Sequence, residues 1–150
     1  MLALLAPACG KDIGDPCTTN IDCASDGTRD CDLSQPGGYC TVNGCDELSC
    51  PSESVCIRIF PYTSPGPSCQ QDADCTADQL CLPEGFCVLR ATERRYCQKS
   101  CGSNSDCRAG YACRQAGLPG QLSSGTSPGS IALVANATPS TVVKFCAPAP

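Results

Sequence analysis

Regularly spaced cysteines constrain this chain more than any other feature of its sequence. Residues 69–87 read CQQDADCTADQLCLPEGFC, with five residues between each cysteine and the next. The chain holds 17 cysteines in 150 residues, a density above the roughly 8–10% at which a disulfide scaffold becomes the usual structure. Because disulfides persist in oxidising compartments, the sequence predicts a location outside the cytosol.

The apolar content is too low for an ordinary hydrophobic core. Leu, Ile, Val and Phe make up 25 of the 150 residues, which is below the roughly 20% that marks chains unable to fold on a core alone. Cross-links that restrict the unfolded chain are therefore expected to supply the stability. We predict a small disulfide-rich fold of tandem cysteine-rich modules, with short β-hairpins and little regular secondary structure.

Internal repeats account for most of the cysteines. The pattern C-x4-D-C occurs in CTTNIDC (17–23), CQQDADC (69–75) and CGSNSDC (101–107), and CDELSCPSESVC (45–56) is a shortened copy without the aspartate. Residues 17–56 thus contain seven cysteines, and residues 69–113 repeat these seven and add one more, Cys97. Cys97 and Cys146 are left over, and they either pair with each other or each serve one half.

Changes in composition divide the chain into five segments. We predict a leader segment at 1–9, a first cysteine-rich repeat at 10–56, a Pro-rich linker at 57–68, a second repeat at 69–113, and a C-terminal region at 114–150. That last region begins with the Gly- and Ser-rich stretch GLPGQLSSGTSPGS, which predicts a flexible loop. IALVA (131–135) and TVVKF (141–145) then predict a β-hairpin, with a structural role or as an edge that binds a partner.

The N-terminal segment indicates where the chain is attached. MLALLAPAC (1–9) resembles the end of a bacterial lipoprotein signal peptide, in which an apolar run and small residues precede the lipidated cysteine. The resemblance implies that Cys9 carries acyl chains and anchors the protein to a membrane. The alternative is a short apolar tail with an unpaired cysteine. Without Cys9 an even number of cysteines remains, and all of them can pair.

We therefore predict that all cysteines except Cys9 form disulfides. These positions are Cys17, Cys23, Cys31, Cys40, Cys45, Cys50, Cys56, Cys69, Cys75, Cys81, Cys87, Cys97, Cys101, Cys107, Cys113 and Cys146.

The repeat pattern, C-x4-D-C followed by C-x5-C over residues 17–113, resembles the cysteine-rich repeats of lipoproteins of the myxobacterial type. It is also similar to the N-terminal cysteine-rich region of the Dickkopf family and, more loosely, to EGF-like modules. The resemblance implies a disulfide-rich extracellular module, but such scaffolds host unrelated functions. Within each unit of four cysteines, we expect the first to pair with the third and the second with the fourth, as in many small secreted modules.

The sequence offers little chemistry. The chain has no histidine, so it lacks the usual general base, and we predict that it is not an enzyme. Zinc sites usually need C-x2-C or C-x4-C spacing, often with histidine. The chain has no C-x2-C, and the two C-x4-C steps at Cys40, Cys45 and Cys50 lie inside a longer run of odd spacing, so we predict no metal and no cofactor. Asp22, Asp74 and Asp106 of the repeats are expected to accept backbone hydrogen bonds. The alternative for the acidic residues is calcium, at Asp72, Asp74 and Asp78 or at Asp26, Asp30 and Asp32.

Charge and aromatic residues suggest two candidate surfaces. A basic segment of this acidic chain contains Arg90, Arg94, Arg95 and Lys99. This segment is either a solvated connector or a contact for an anionic surface. Phe60 and Tyr62 of the linker are candidates for an exposed binding patch. Tyr39, Phe86, Tyr96 and Tyr111 lie next to cysteines and are expected to cover disulfides. Because the sequence pI is near 4.5, we predict no nucleic-acid partner.

Together these features predict a lipid-anchored cell-envelope protein, in the outer membrane, in the periplasm or at the cell surface. Its expected partners are the membrane and a protein or saccharide ligand, and its expected role is that of a binding or structural module. The alternative function is a secreted toxin-like or inhibitor domain, which would be released as a soluble chain.

Overall fold

Short strands and single helical turns make up the regular structure. The computed structural model describes residues 10–46, 48–61, 66–82, 85–116, 130–134 and 143–149, with the backbone alone for 61, 116 and 130–134. One helix, α1 (Asn20–Cys23), is a single turn, and three short 3-10 turns are Asp72–Asp74, Arg90–Thr92 and Asn104–Asp106. The strands are β1 (Asp30–Cys31), β2 (Cys40–Thr41), β3 (Ser54–Pro61), β4 (Gln79–Cys81), β5 (Cys87–Leu89), β6 (Arg94–Lys99), β7 (Tyr111–Ala116), β8 (Ser130–Val134) and β9 (Val143–Pro148).

Eight disulfides join all sixteen of the cysteines predicted to pair. Their pairs are Cys17–Cys31, Cys23–Cys40, Cys45–Cys56, Cys50–Cys97, Cys69–Cys81, Cys75–Cys87, Cys101–Cys113 and Cys107–Cys146. The fold is therefore small and disulfide-rich, with little regular structure, as the sequence predicts.

These disulfides define four equivalent units. In every unit the first cysteine pairs with the third and the second with the fourth, and the third and fourth are opposite each other on two antiparallel strands. The expected pairing is thus confirmed for the cysteines of residues 17–40 and 69–87. The other two units, which Cys97 and Cys146 complete, follow the same rule. Unit 1 holds Cys17, Cys23, Cys31 and Cys40; unit 2 holds Cys45, Cys50, Cys56 and Cys97; unit 3 holds Cys69, Cys75, Cys81 and Cys87; unit 4 holds Cys101, Cys107, Cys113 and Cys146.

This arrangement resolves the question of the two leftover cysteines. Cys97 completes unit 2 and Cys146 completes unit 4, so each serves one half of the chain. Unit 3 consequently lies, in sequence, between the third and fourth cysteines of unit 2. The Cys50–Cys97 disulfide spans 47 residues and crosses the predicted boundary between the two repeats, so the units are nested rather than strictly in tandem.

The prediction of a Pro-rich linker at 57–68 is wrong for its first five residues. Residues 57–61 belong to β3, the central strand of an antiparallel sheet in the order β6-β3-β8. Ile57 and Phe60 are fully buried and Ile59 is nearly so. Alternating apolar residues favour a strand at this position, and two neighbouring strands leave little of the segment exposed. Within the rest of the predicted linker, residues 62–65 lie outside the described residues.

The prediction of a C-terminal β-hairpin is also wrong. Both strands are present, but β8 pairs with β3 and β9 pairs with β7. The disulfides explain the pairing of β9, because Cys146 must lie opposite Cys113 to complete unit 4 in the same way as the other units. The turn NATPS predicted between the two strands lies outside the described residues.

A glycine is required where two of the units close. Gly38 and Gly85 both have positive φ, 68° and 86°, and each precedes the aromatic residue and fourth cysteine of its unit. A Cβ atom on Gly38 would lie 2.0 Å from the carbonyl oxygen of Cys17. A side chain cannot be accommodated at Gly38, so the Gly-aromatic-Cys motif reflects a steric need.

Small apolar clusters join the units to one another. Tyr39 of unit 1 and Tyr111 of unit 4 pack with their ring centroids 5.5 Å apart, in a cluster with Ile13 and cysteines of unit 2. The Arg108 guanidinium lies 4.3 Å from the centroid of the Tyr111 ring. It donates to the carbonyl oxygens of Pro36 and Gly38 and to the Tyr111 hydroxyl. One cation thus ties unit 4 to unit 1.

Replacing Arg108 by alanine is expected to lower the free energy of unfolding by about 2–3 kcal/mol, because charge-assisted hydrogen bonds and a cation–π contact are lost together. Urea unfolding with intact disulfides would measure the change. Arg94→Ala is the matched control, since Arg94 is exposed on β6 and an exposed charge contributes little. Equal effects of the two substitutions would contradict the proposed role of Arg108.

Candidate functional site

The aspartates of the C-x4-D-C repeats have a structural position. Asp22 accepts hydrogen bonds from the backbone N–H groups of Thr18 and Thr19, at 2.8 and 2.9 Å. Asp74 and Asp106 accept the equivalent pairs in units 3 and 4. Each carboxylate therefore holds the loop between the first two cysteines of its unit, as expected from the sequence.

A second polar position in the same loop was not predicted. Two residues before each aspartate stands Asn20, Asp72 or Asn104, and its side-chain oxygen accepts the N–H of the third cysteine at 2.8–2.9 Å. The signal in the sequence is an Asn or Asp at the third position after the first cysteine, which extends the repeat to C-x2-[N/D]-x-D-C. These contacts fix the loop against the strand that follows.

The hydrogen bonds to Asp22 lower its pKa, and this lowering can be measured. The backbone N–H of Thr18, its hydroxyl and the backbone N–H of Thr19 together lower the pKa of Asp22 from 3.8 to about 2. A carboxylate with a lowered pKa stabilises the fold at pH values above its ordinary pKa, and this contribution is lost as the pH falls towards 2. Carboxyl-carbon NMR is expected to give a midpoint near 2, and Thr18→Val should raise it. A midpoint at 3.8 would rule out these hydrogen bonds.

The two acidic clusters proposed as calcium sites do not converge. Asp74 and Asp78 accept from donors in their own turns, and Asp72 accepts from Cys81 and pairs with Arg90. In the other cluster, Asp26 and Asp32 bind Thr28 and Ser34, two residues along the chain. Within the described ranges, the groups of three or more close metal-ligand atoms consist of cysteines, and all of these form disulfides.

Acidic partners neutralise part of the basic segment. Arg90 lies 3.2 Å from Asp72, and Arg95 forms an ion pair with Glu93. Glu93 also accepts two hydrogen bonds from Arg58 of the central strand, and these bonds are the main reason that its pKa is lowered. Arg94 is exposed, and Lys99 is half-buried. The segment therefore resembles a neutralised connector more than a surface built for an anion.

Phe60 of the predicted aromatic patch is not exposed. Phe60 is fully buried in a cluster with Leu80, Leu82, Phe86 and Val88, which attaches unit 3 to the end of β3. Tyr62 lies outside the described residues. The exposed large apolar side chains of the described part of the chain are elsewhere, at Ile21, Leu33, Leu48 and Leu89.

The expectation that aromatic residues cover disulfides is confirmed for Tyr39 and Tyr111, which pack against Cys45, Cys56 and Cys97. Phe86 packs in the apolar cluster of unit 3, and Tyr96 packs beside the cluster of Ile57, Ile59, Phe145 and Ala147.

The segment that follows Cys9 is fixed to unit 1. The backbone N–H of Lys11 donates to the carbonyl oxygen of Cys23, at 3.0 Å, and the carbonyl oxygen of Lys11 accepts from Arg29. Ile13 is fully buried, and the N–H of Gly14 donates to the carbonyl oxygen of Cys40, at 2.9 Å. The ordered fold therefore includes the residues immediately after the predicted lipidation site, although Cys9 itself lies outside the described residues.

A shallow polar groove lies beside this segment. Its volume is about 320 Å³, and its lining residues are Gly10, Asp12, Ala24, Ser25, Asp26, Thr28 and Arg29. Its charged groups have both signs, and hydrogen bonds from Thr28 lower the pKa of Asp26. This composition suits a polar contact surface better than a catalytic cleft.

No family model matches this sequence, and no curated protein or solved structure gives a match. Among the described residues, no helix is long and apolar enough to cross a membrane. The eight disulfides indicate an extracellular or cell-envelope location, since cross-links of this density persist in oxidising compartments.

Proposed function

We propose that this chain is a non-catalytic protein of the cell envelope, anchored to a membrane by lipid on Cys9. In this proposal the four disulfide units form a rigid binding or structural module that is displayed next to the membrane. A protein or a saccharide of the envelope is the class of ligand that such a surface would meet.

The observation that carries the lipid anchor is the cysteine pairing. The chain has 17 cysteines, and sixteen of them pair among themselves in eight disulfides. No other cysteine of the chain is therefore left to pair with Cys9. A thiol outside the disulfide framework, preceded by an apolar run and small residues, is the arrangement in which a lipoprotein cysteine is modified.

The absence of catalysis is supported by the titratable groups. A carboxyl group that acts as a general acid near neutral pH needs a raised pKa. Every shifted carboxyl pKa among the described residues is lowered, because hydrogen-bond donors surround the charged form. The chain also has no histidine. These features favour a module that binds or supports over one that reacts.

Intact mass and cell fractionation test the anchor. The chain would be produced behind a complete lipoprotein signal peptide that ends at Cys9. We expect it in the membrane fraction, with acyl chains on Cys9 and a gain of two hydrogens per disulfide after reduction. As a control, residues 10–150 behind a secretory signal peptide should be soluble and unmodified. An unacylated, soluble product of the first construction would overturn the proposal and favour the secreted toxin-like or inhibitor alternative.

A further inference from the structure

The described fold includes the residue that follows Cys9. A peptide bond places the Cα atoms of consecutive residues about 3.8 Å apart, so Cys9 lies next to Gly10 whatever its own conformation. Gly10 is close enough to unit 1 that an added Cβ atom would lie 3.1 Å from the carbonyl oxygen of Cys23. Lys11 and Ile13 are then held by a hydrogen bond and by burial. No flexible spacer separates the proposed lipid from the scaffold.

This arrangement restricts how the protein can sit on a membrane. A flexible spacer of ten Gly- and Ser-rich residues would give an end-to-end distance of about 18 Å, enough for a small domain to turn freely above the lipid. With lipid on Cys9 and no spacer, the surface around Gly10 must remain within a few ångströms of the headgroups. That surface is the groove lined by Asp12, Ser25, Asp26 and Arg29.

We propose that unit 1 rests on the lipid headgroups through this groove, and that the lack of a spacer holds unit 3 away from the membrane. This inference rests on the proposed lipidation of Cys9. The groove carries carboxylates together with the Arg29 guanidinium, which suits the paired opposite charges of zwitterionic headgroups. It lacks the cluster of basic residues that binds anionic lipid.

The central strand separates the two ends of the molecule. Arg29 lies 3.7 Å from Glu53, which immediately precedes β3, so the groove lies near the first residue of that strand. Unit 3 packs on Phe60, near the last residue of the same strand. The rise of about 3.3 Å per residue puts these two attachment points about 20 Å apart. Reporters on unit 1 and unit 3 should therefore sense different depths.

Tryptophan fluorescence can read this orientation, because the chain contains no tryptophan. Ser25 and Ala77 are matched positions, since each lies two residues after the second cysteine of its unit and both are exposed. The full chain, lipidated at Cys9, would carry Ser25→Trp or Ala77→Trp in vesicles of zwitterionic lipid with a nitroxide on some headgroups. We expect several-fold stronger quenching for Ser25→Trp. Equal quenching, or stronger quenching of Ala77→Trp, would overturn the inference.

A spacer variant tests the cause of the orientation. Inserting ten Gly and Ser residues between Cys9 and Gly10 should reduce the quenching of Ser25→Trp to the value for Ala77→Trp. Quenching that survives the insertion would overturn the role assigned to the missing spacer. Intact mass is measured on every sample. A protein without acyl chains refutes the proposed anchor, whereas an acylated protein with unquenched Ser25→Trp refutes the orientation alone.

Discussion

Replacing Phe60 by alanine is expected to lower the free energy of unfolding by about 4 kcal/mol. Phe60 is fully buried among four apolar side chains of unit 3, and these contacts form the cluster between that unit and the central strand. Truncating a buried phenylalanine removes its transfer free energy and leaves a cavity, which together cost about 3–5 kcal/mol. The Arg58 guanidinium, 5.2 Å from the ring centroid, would lose its aromatic partner as well. Urea unfolding of the oxidised protein measures the change.

Leu48→Ala is the matched control for this substitution. Leu48 is 92% exposed, so its truncation is expected to change stability by less than about 0.5 kcal/mol. If Phe60→Ala were as mild as the control, residues 57–61 would not form a buried strand and the linker interpretation of this segment would return.

Removing the Cys50–Cys97 disulfide is expected to cost about 4 kcal/mol. Loop-closure entropy grows with the length of the closed loop, and this disulfide closes the longest one, 47 residues. Cys97 is also fully buried, so the double variant Cys50→Ala with Cys97→Ala leaves unfilled space. The same loop contains all of unit 3, and we expect that unit to lose protection from hydrogen exchange together with unit 2.

The Cys101–Cys113 disulfide provides the comparison. This disulfide closes a loop of 12 residues, and the same relation gives a cost of about 3 kcal/mol for its removal. Both of its cysteines are partly exposed. Unfolding in urea, with thiol titration to verify that the other disulfides remain, compares the two double variants. A larger loss from the Cys101–Cys113 variant would show that Cys50–Cys97 does not hold the nested units together.

The local parts of the fold could be predicted from the sequence. The cysteines of unit 3 are evenly spaced because one loop and one strand pair fix them, and unit 1 keeps the same order of cysteines with slightly longer connections. Asp22 and its equivalents could be assigned to the loop for the same reason, since their hydrogen bonds reach only four residues along the chain. Contacts of this kind leave a repeated signature in the sequence.

The long-range parts could not be predicted. Cys97 and Cys146 complete units whose third cysteines lie 41 and 33 positions earlier, and nothing local indicates which unit each one closes. Apolar residues at 57–61 alternate as they do in a strand, but the prolines and the glycine that follow them indicate a linker. The partner of β8 is likewise a strand about 70 residues away, so the nearer strand β9 was the obvious but wrong choice. Lipidation of Cys9 stays a prediction.

The connection between the third and fourth cysteines varies more than any other part of the unit. It contains 5 residues in unit 3 and 8 in unit 1, but 32 in unit 4 and 40 in unit 2. Lengthening a loop whose ends are already clamped costs little, because closure entropy rises only with the logarithm of length. The scaffold thus accepts foreign sequence at a defined place, and a graft at this connection in unit 1 or unit 3 offers a route to a display protein.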